Sequence, residues 1–305
     1  MLKQIFCIIF IIFLKYTAAK ADNEQCNNII IEGGEQALRK IFNDFNEIKT
    51  TLNELKLKYE IHQESNNTVK KDMPIFDGRI DKMDVKCHTT NLPKDCATAT
   101  ACTKQSGIYK IQIEQFSSEP FYVACDSETE TGDWLVIQKR QDGSEDFYRE
   151  WQDYENGFGD IAGEFFIGLK KLHALTSYNG PQELLIVMKD ANDTKTFAKY
   201  DAFAIGNETE SYKLKKLGNY SGTAGNSLGI HIGMKFSTKD RDNDVSDSNC
   251  ATVNTGAWWY INCHHSNLNG KYGVHSSKGV IWKTFRNYSE SLPYVKMMIR
   301  RSRTI

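Results

Sequence analysis

The stretch Lys239-Asp240-Arg241-Asp242-Asn243-Asp244-Val245-Ser246-Asp247-Ser248-Asn249-Cys250, followed by Gly256-Ala257-Trp258-Trp259-Tyr260 and Asn262-Cys263-His264, decides how the chain is read. Asp240, Asp242 and Asp244 alternate along a polar segment. Carboxylates crowded into a small volume repel one another unless a cation sits between them. Hard oxygen donors without His or Cys select calcium. The spacing is not that of an EF-hand: Val245 stands where that loop needs Gly, and Ala251 where it needs Glu. The acidic run ends at one cysteine, and a short aromatic segment leads to the next.

Outward from that stretch, the bulk properties narrow the function. The 305 residues are enough for one large domain and an extension. Lys and Arg number 38 against 39 Asp and Glu, a balance that argues against a general nucleic-acid or anionic-membrane partner. The basic C-terminal cluster of Lys296, Arg300, Arg301 and Arg303 reads as a solvated end. At the other terminus, Lys3, the apolar run Ile5 to Leu14 and the small residues Thr17-Ala18-Ala19 have the order of a signal peptide over 1–19. The run is about half the roughly 20 residues a membrane span needs, so the mature chain is expected to be secreted and extracellular. Seven cysteines then remain, Cys26, Cys87, Cys96, Cys102, Cys125, Cys250 and Cys263. That odd count implies an interchain bond or a free thiol.

Residues 29–65 predict a coiled-coil stalk. Ile31, Leu38, Phe45, Leu52 and Tyr59 share one heptad position, and Ile41, Ile48, Leu55 and His62 the other. Asp44 and Lys49 fall at g and e positions, and Cys26 just upstream is the candidate interchain disulfide. A homo-oligomer follows as the expected assembly. Asn66 begins a glycosylation sequon on a core heptad position, where a glycan cannot pack, and Pro74 and Gly78 break helix. Residues 66–91 therefore read as a linker. Further sequons begin at Asn192, Asn207, Asn219 and Asn287.

From Leu92 helical periodicity gives way to glycines, aromatics and short alternating runs. Strands are expected at Gly107 to Ile113, Phe121 to Cys125, Trp134 to Lys139 and Leu184 to Met188. Phe158 to Leu175 and Thr196 to Phe203 carry mixed signals, and the C-terminal third reads as loop-rich. The fold class is α+β. No G-x-S-x-G, H-E-x-x-H or P-loop occurs, and no enzyme activity is expected.

The ordered segments Ser106-Gly107-Ile108-Tyr109, Trp134-Leu135-Val136-Ile137-Gln138-Lys139-Arg140, Gly157-Phe158-Gly159, Tyr220-Ser221-Gly222, Phe236 to Asp244, Gly256 to Tyr260 and Ser266-Asn267-Leu268-Asn269-Gly270 carry a resemblance. Over 92–302 the chain resembles the fibrinogen C-terminal domain family, closest in character to its invertebrate ficolin and tachylectin-like branch. The resemblance implies a central antiparallel sheet, a loop-rich calcium-binding C-terminal part, and bridges Cys96–Cys125 and Cys250–Cys263. Cys87 and Cys102 are additions that could pair with each other; Cys102–Cys125 is the alternative. The resemblance also implies a calcium site formed by the side chains of Asp242 and Asp244 and the carbonyls of Ser246 and Ser248, with Asp240 a neighbour. It implies an acetyl-binding funnel at Asn262, Cys263 and His264, with an Asn262–Cys263 cis peptide and Tyr288 as one aromatic wall. Asn254 and Ser276 stand where lectin members carry further aromatics, which predicts a wider, more polar funnel. Two functions stay open: a lectin-like, calcium-dependent recognition protein for carbohydrate or acetylated surface ligands, of the innate-immune kind, or an extracellular protein-binding ligand of the angiopoietin-like or fibrinogen type.

Overall fold

In the computed structural model, residues 92–302 and the two-residue strand Ile75–Phe76 are described. The chain divides into two units, Met1–Val69 and Lys70–Ile305, and the described residues all belong to the second. The expected signal peptide, the stalk with Cys26, and Asn66 and Cys87 in the linker lie outside them.

Strand β1 (Ile75–Phe76) pairs in parallel with β2 (Gly107–Ile111), and β2 pairs antiparallel with β3 (Phe121–Asp126). Between β1 and β2 in the chain lies α1 (Cys96–Ala99), capped by the Asp95 carboxylate, which accepts from Thr98 N–H at 2.8 Å. Then follow β4 (Trp134–Arg140), α2 (Trp151–Asn156), β5 (Phe158–Gly159), β6 (Phe165–Phe166) and α3 (Leu169–Tyr178). The long hairpin β7 (Gln182–Lys189) and β8 (Lys195–Ile205) leads to β9 (Leu214–Leu217) and β10 (Tyr220–Gly222). The final segment holds only α4 (Cys250–Val253), β11 (Ser266–Asn267), β12 (Ile281–Trp282), α5 (Lys283–Arg286) and the closing strand β13 (Tyr294–Arg301).

All four expected strands are present. The mixed signal of Phe158 to Leu175 has a simple cause: the segment holds both a short β5–β6 hairpin and α3. Thr196 to Phe203 resolves into an 11-residue strand, alternately exposed and buried over its first half. The sheet order is β1-β2-β3-β4-β13-β7-β8-β10. The last strand of the chain thus fills the middle, antiparallel to β4 on one side and to β7 on the other.

That placement corrects the reading of the basic C-terminal cluster as solvated for Lys296 and Arg300; Arg301 is exposed, and Arg303 lies outside the described residues. Lys296 lies in β13 and pairs with Asp126. Arg300 is 7% exposed, and its guanidinium bonds Glu183 Oε1 at 2.5 Å, Glu130 and the Gly132 carbonyl while stacking 4.0 Å over Trp134. A buried cation requires such partners.

The core is rich in aromatics. Tyr154, Phe158, Phe166, Phe236 and Trp259 meet largely edge-to-face or tilted. Tyr154 comes from α2, Phe166 from β6, Phe236 from just before the segment first quoted and Trp259 from within it, so this cluster seats that segment on the sheet. Burying each such ring is worth roughly 1.5–3 kcal/mol.

Candidate functional site

Asp240 is held as part of the frame. Its Oδ1 accepts from Trp151 N–H at 2.9 Å, the first amide of α2, and from the Thr238 hydroxyl at 2.7 Å. A carboxylate at a helix N-terminus satisfies an otherwise orphaned donor. Arg241 stacks 4.0 Å over the Trp151 ring, so the acidic loop is tied to α2 at its start.

Beyond that anchor, Asp242 Oδ1 accepts from Asp244 N–H at 3.2 Å. Asp244 in turn accepts from Ser246 N–H at 2.9 Å and from Cys250 N–H at 2.9 Å. The Asp244 carboxyl is raised above its ordinary value. Burial is the main cause and the neighbouring Asp242 charge adds to it, against the two backbone donors that lower it. Among the described residues, no hydrogen bond uses the carbonyl oxygen of Ser246 or of Ser248. Two adjacent carboxylates, one unfavourably charged, and two carbonyls of the same loop without a described hydrogen bond have the donor chemistry of a hard-cation site. Among the described residues, no three His, Cys, Asp or Glu side chains converge on a metal position. A site of two carboxylates completed by backbone oxygens needs no third.

The disulfide Cys250–Cys263, separated by 13 residues, links this loop to the next segment. Cys96–Cys125 is the second described bridge. Cys102 is disulfide-bonded as well, and since Cys125 is taken by Cys96, the alternative Cys102–Cys125 pairing falls.

The Asn262–Cys263 peptide is cis. Asn262 is exposed, Cys263 half-buried and His264 6% exposed. His264 Nε2 lies 3.0 Å from the Ser277 carbonyl; a carbonyl only accepts, so Nε2 carries the proton. Its Nδ1 is buried and has no partner among the described residues. Burial pulls the imidazole down to about 4, so the ring is neutral at physiological pH. Tyr288 Oη donates to the His264 carbonyl at 2.7 Å, and the two rings meet edge-on at 5.6 Å. No described hydrogen bond uses the backbone N–H of Cys263 or of His264.

A residue that the sequence reading did not single out holds this segment from behind. His231 is fully buried. Its Nδ1 donates to the Trp259 carbonyl at 2.7 Å, and its Nε2 accepts from both His265 N–H and Ser266 N–H at 3.2 Å. Both Nε2 partners are donors, so the ring must be neutral, and burial lowers it to about 3. One imidazole therefore clasps both ends of the stretch that carries Cys263 and His264. Nothing in the local pattern around His231 signals this, because its partners lie about 30 residues away.

The two expected departures from the funnel differ in placement. Asn254 is only 4% exposed, and its carboxamide donates to the Cys250 carbonyl at 3.0 Å within α4. It supports the disulfide loop and presents little to the surface, which corrects its reading as a polar funnel wall. Ser276 is half-buried in a turn, where its hydroxyl accepts from Lys278 N–H at 3.3 Å. It is next to Ser277, whose carbonyl meets His264. Of the sequons, Asn192, Asn207, Asn219 and Asn287 are all exposed. Asn207 caps a short helical turn, and the Asn219 carboxamide donates to Asp201 at 2.9 Å.

The sheet grips the site through β4. Arg140 Nη1 donates to the carbonyls of Leu268 at 3.1 Å and Gly270 at 2.8 Å, and Gln138 Nε2 to that of Leu268 at 2.9 Å. The result is a rigid scaffold that presents a short, disulfide-closed loop with free backbone donors beside an acidic loop, the layout of a recognition domain.

The comparisons with known proteins carry that class to a family. Residues 92–302 match the family model for the C-terminal globular domain of fibrinogen beta and gamma chains. The chain belongs to this fibrinogen C-terminal domain family, whose globular domains are recognition modules and not enzymes. It is 46% identical over 210 residues to tenascin-R of Gallus gallus, covering 68% of this chain and 15% of that protein. It is 48% identical over 199 residues to ryncolin-4 of Cerberus rynchops, covering 64% of this chain and 57% of that one. The chain thus spans only part of these relatives. Among solved structures, the fibrinogen-like globe domain of human ANGPTL2 aligns with a TM-score of 0.66 at 42% identity, over 69% of this chain and 99% of that one. Lamprey fibrin D-dimer, complexed with the peptide ligand Gly-His-Arg-Pro-amide, aligns at 0.65 with 28% identity, over 92% of this chain and 93% of that one.

Proposed function

We propose that the protein is a secreted, oligomeric, calcium-dependent recognition protein whose ligand surface lies around Asn262, Cys263, His264 and Tyr288. The observation that carries this reading is the pair of adjacent backbone donors at Cys263 and His264, left without partners on a segment fixed by His231, Tyr288 and the Cys250–Cys263 bridge. Preorganised donors of this kind suit a carbonyl oxygen, and the Tyr288 ring beside them suits a methyl group, which together describe an acetyl group. Ligands of the acetylated carbohydrate class follow, as in a lectin of innate immunity. Asp242, Asp244 and the carbonyls of Ser246 and Ser248 would hold calcium, and through Asp244 to Cys250 N–H the ion would stiffen the disulfide loop. Among the described residues no helix is long and apolar enough to cross a membrane.

The second reading is a protein ligand, favoured by the peptide ligand with which the related lamprey fibrin D-dimer is complexed. A screen of the mature chain against glycans, acetylated small molecules and peptides, each with calcium and with chelator, separates the two. Calcium-dependent capture of N-acetylated sugars that is lost in Tyr288→Ala is the expected result. Capture of peptides alone would establish the second reading instead.

A further inference from the structure

Beside the free donors lies a cation with no carboxylate partner. Lys283 opens α5, and its backbone N–H donates to the His265 carbonyl at 2.9 Å. Its ammonium donates to His265 Nε2 at 3.0 Å and lies 5.4 Å from the centre of the Tyr288 ring. No ion pair among the described residues includes Lys283. The acidic group nearest in sequence, Glu290, is engaged elsewhere: it accepts from Ala191 N–H and faces Arg286, which also binds Asp190. Lys283 and His265 are both half-buried. His265 Nε2 accepts a hydrogen bond from the ammonium, so it orients the charge without neutralising it. The Lys283 head is thus fixed between the Tyr288 ring and the His265 imidazole.

A cation pinned without a counter-ion, and held by the imidazole of the residue that directly follows the Cys263 and His264 amides, is the arrangement that anions select. We propose that Lys283 and His265 form an anion subsite adjoining the Cys263–His264 amides, so that the preferred ligand is an acetylated sugar that also carries a carboxylate or sulfate. The Lys283 ammonium takes the anionic oxygen, and the two amides take the acetyl carbonyl. Lys283 is then the residue that sets charge preference. The acetyl half of this inference rests on the function proposed above, while the anion half stands on the Lys283–His265 geometry alone.

The test separates the halves. The full mature chain, labelled with carbon-13 in its histidine rings, is titrated at low ionic strength with inorganic sulfate. A saturable shift of the His265 ring is expected, lost in Lys283→Gln and kept in Lys283→Arg. Affinities for N-acetylglucosamine, N-acetylglucosamine 6-sulfate and N-acetylneuraminic acid are then compared. The acidic sugars should bind on the order of fivefold more tightly than the neutral one, as expected for a partly exposed ion pair. That advantage should vanish in Lys283→Gln and at high salt. Absence of a sulfate shift in the wild type, or the same shift in Lys283→Gln, overturns the anion subsite. Equal affinities for neutral and acidic sugars overturn it as well. A sulfate shift with no acetylated sugar bound sustains the subsite and defeats the acetyl reading of the pocket.

Discussion

At Asp244 two requirements meet in one carboxylate. It orders the loop by accepting from Ser246 and Cys250, and it faces Asp242 closely enough for the two charges to work against each other. Its folded value is raised above the ordinary 3.8, so without a cation the native state holds that proton to higher pH than the unfolded chain does. The sign follows directly: the chelated protein is unpenalised below the ordinary value, loses stability as pH climbs through the raised value, and stays penalised above it. Asp244→Asn in chelator should abolish that decline. Calcium should reverse the decline in the wild type by about 2.7 kcal/mol at a hundredfold excess over Kd, and most of this gain should be missing in Asp244→Asn. Melting curves from pH 3 to 8 with and without calcium read both effects. A melting temperature indifferent to calcium at every pH would remove the metal from this loop. The carboxylate pattern was legible in the sequence because charge repulsion acts along a short stretch. His231 was not, because its role is defined by carbonyl and amide partners brought from residues 259, 265 and 266.

Among the elements, β4 joins sheet to site, and its last residue does most of the joining. Arg140 is 1% exposed, stacks 3.9 Å over Phe147, lies 3.8 Å from the Glu164 carboxylate and donates to the carbonyls of Leu268 and Gly270. Glu164 in turn gathers the N–H groups of Gln141, Asp142, Gly143 and Glu145. Replacing Arg140 with Met would strand that buried carboxylate and two carbonyls, a change of the class that costs about 3–5 kcal/mol. Denaturant unfolding of Arg140→Met should show a loss of that size, and any ligand affinity should fall with it as the Ser266–Gly270 turn loosens. A loss under 1 kcal/mol would show that the ion pair does not hold the turn. The β4 strand itself was readable from its apolar, β-branched run. The closing strand β13 escaped notice because Lys296, Arg300 and Arg301 give it a charged surface pattern. Its burial depends on Asp126, Glu183 and Glu130, which come from distant parts of the chain. Likewise the loop-rich character of the C-terminal third was evident, since elements of two to four residues have no periodicity to betray them, but which carbonyl each loop would offer was not.

For the molecule as a whole, affinity and assembly are linked. A surface made of two backbone donors, one ring and one cation can supply only weak single-site binding to a sugar, and weak sites become useful when several are joined. The heptads of residues 29–65 and the odd cysteine Cys26 are the sequence features that would join them. Two units divide the chain at Val69, and the residues of the proposed recognition site all belong to the second. Assembly should therefore be separable from folding and from intrinsic binding. The full mature chain is expected to sediment as a disulfide-linked oligomer, and Cys26→Ser to sediment as an oligomer without the covalent link. A chain beginning at residue 70 should be monomeric and keep the affinity of a single site. On a surface densely coated with acetylated ligand, the oligomer should bind more tightly than that monomer by one to several orders of magnitude, while for the free monovalent ligand the two should be equal. The measurement is sedimentation velocity under non-reducing conditions paired with binding to surfaces of graded ligand density. A full chain that sediments as a monomer would defeat the stalk reading outright. An oligomer whose advantage persists at ligand densities too sparse for two sites to engage would mean that the stalk contributes contacts of its own, and the recognition surface would then extend beyond the globular domain.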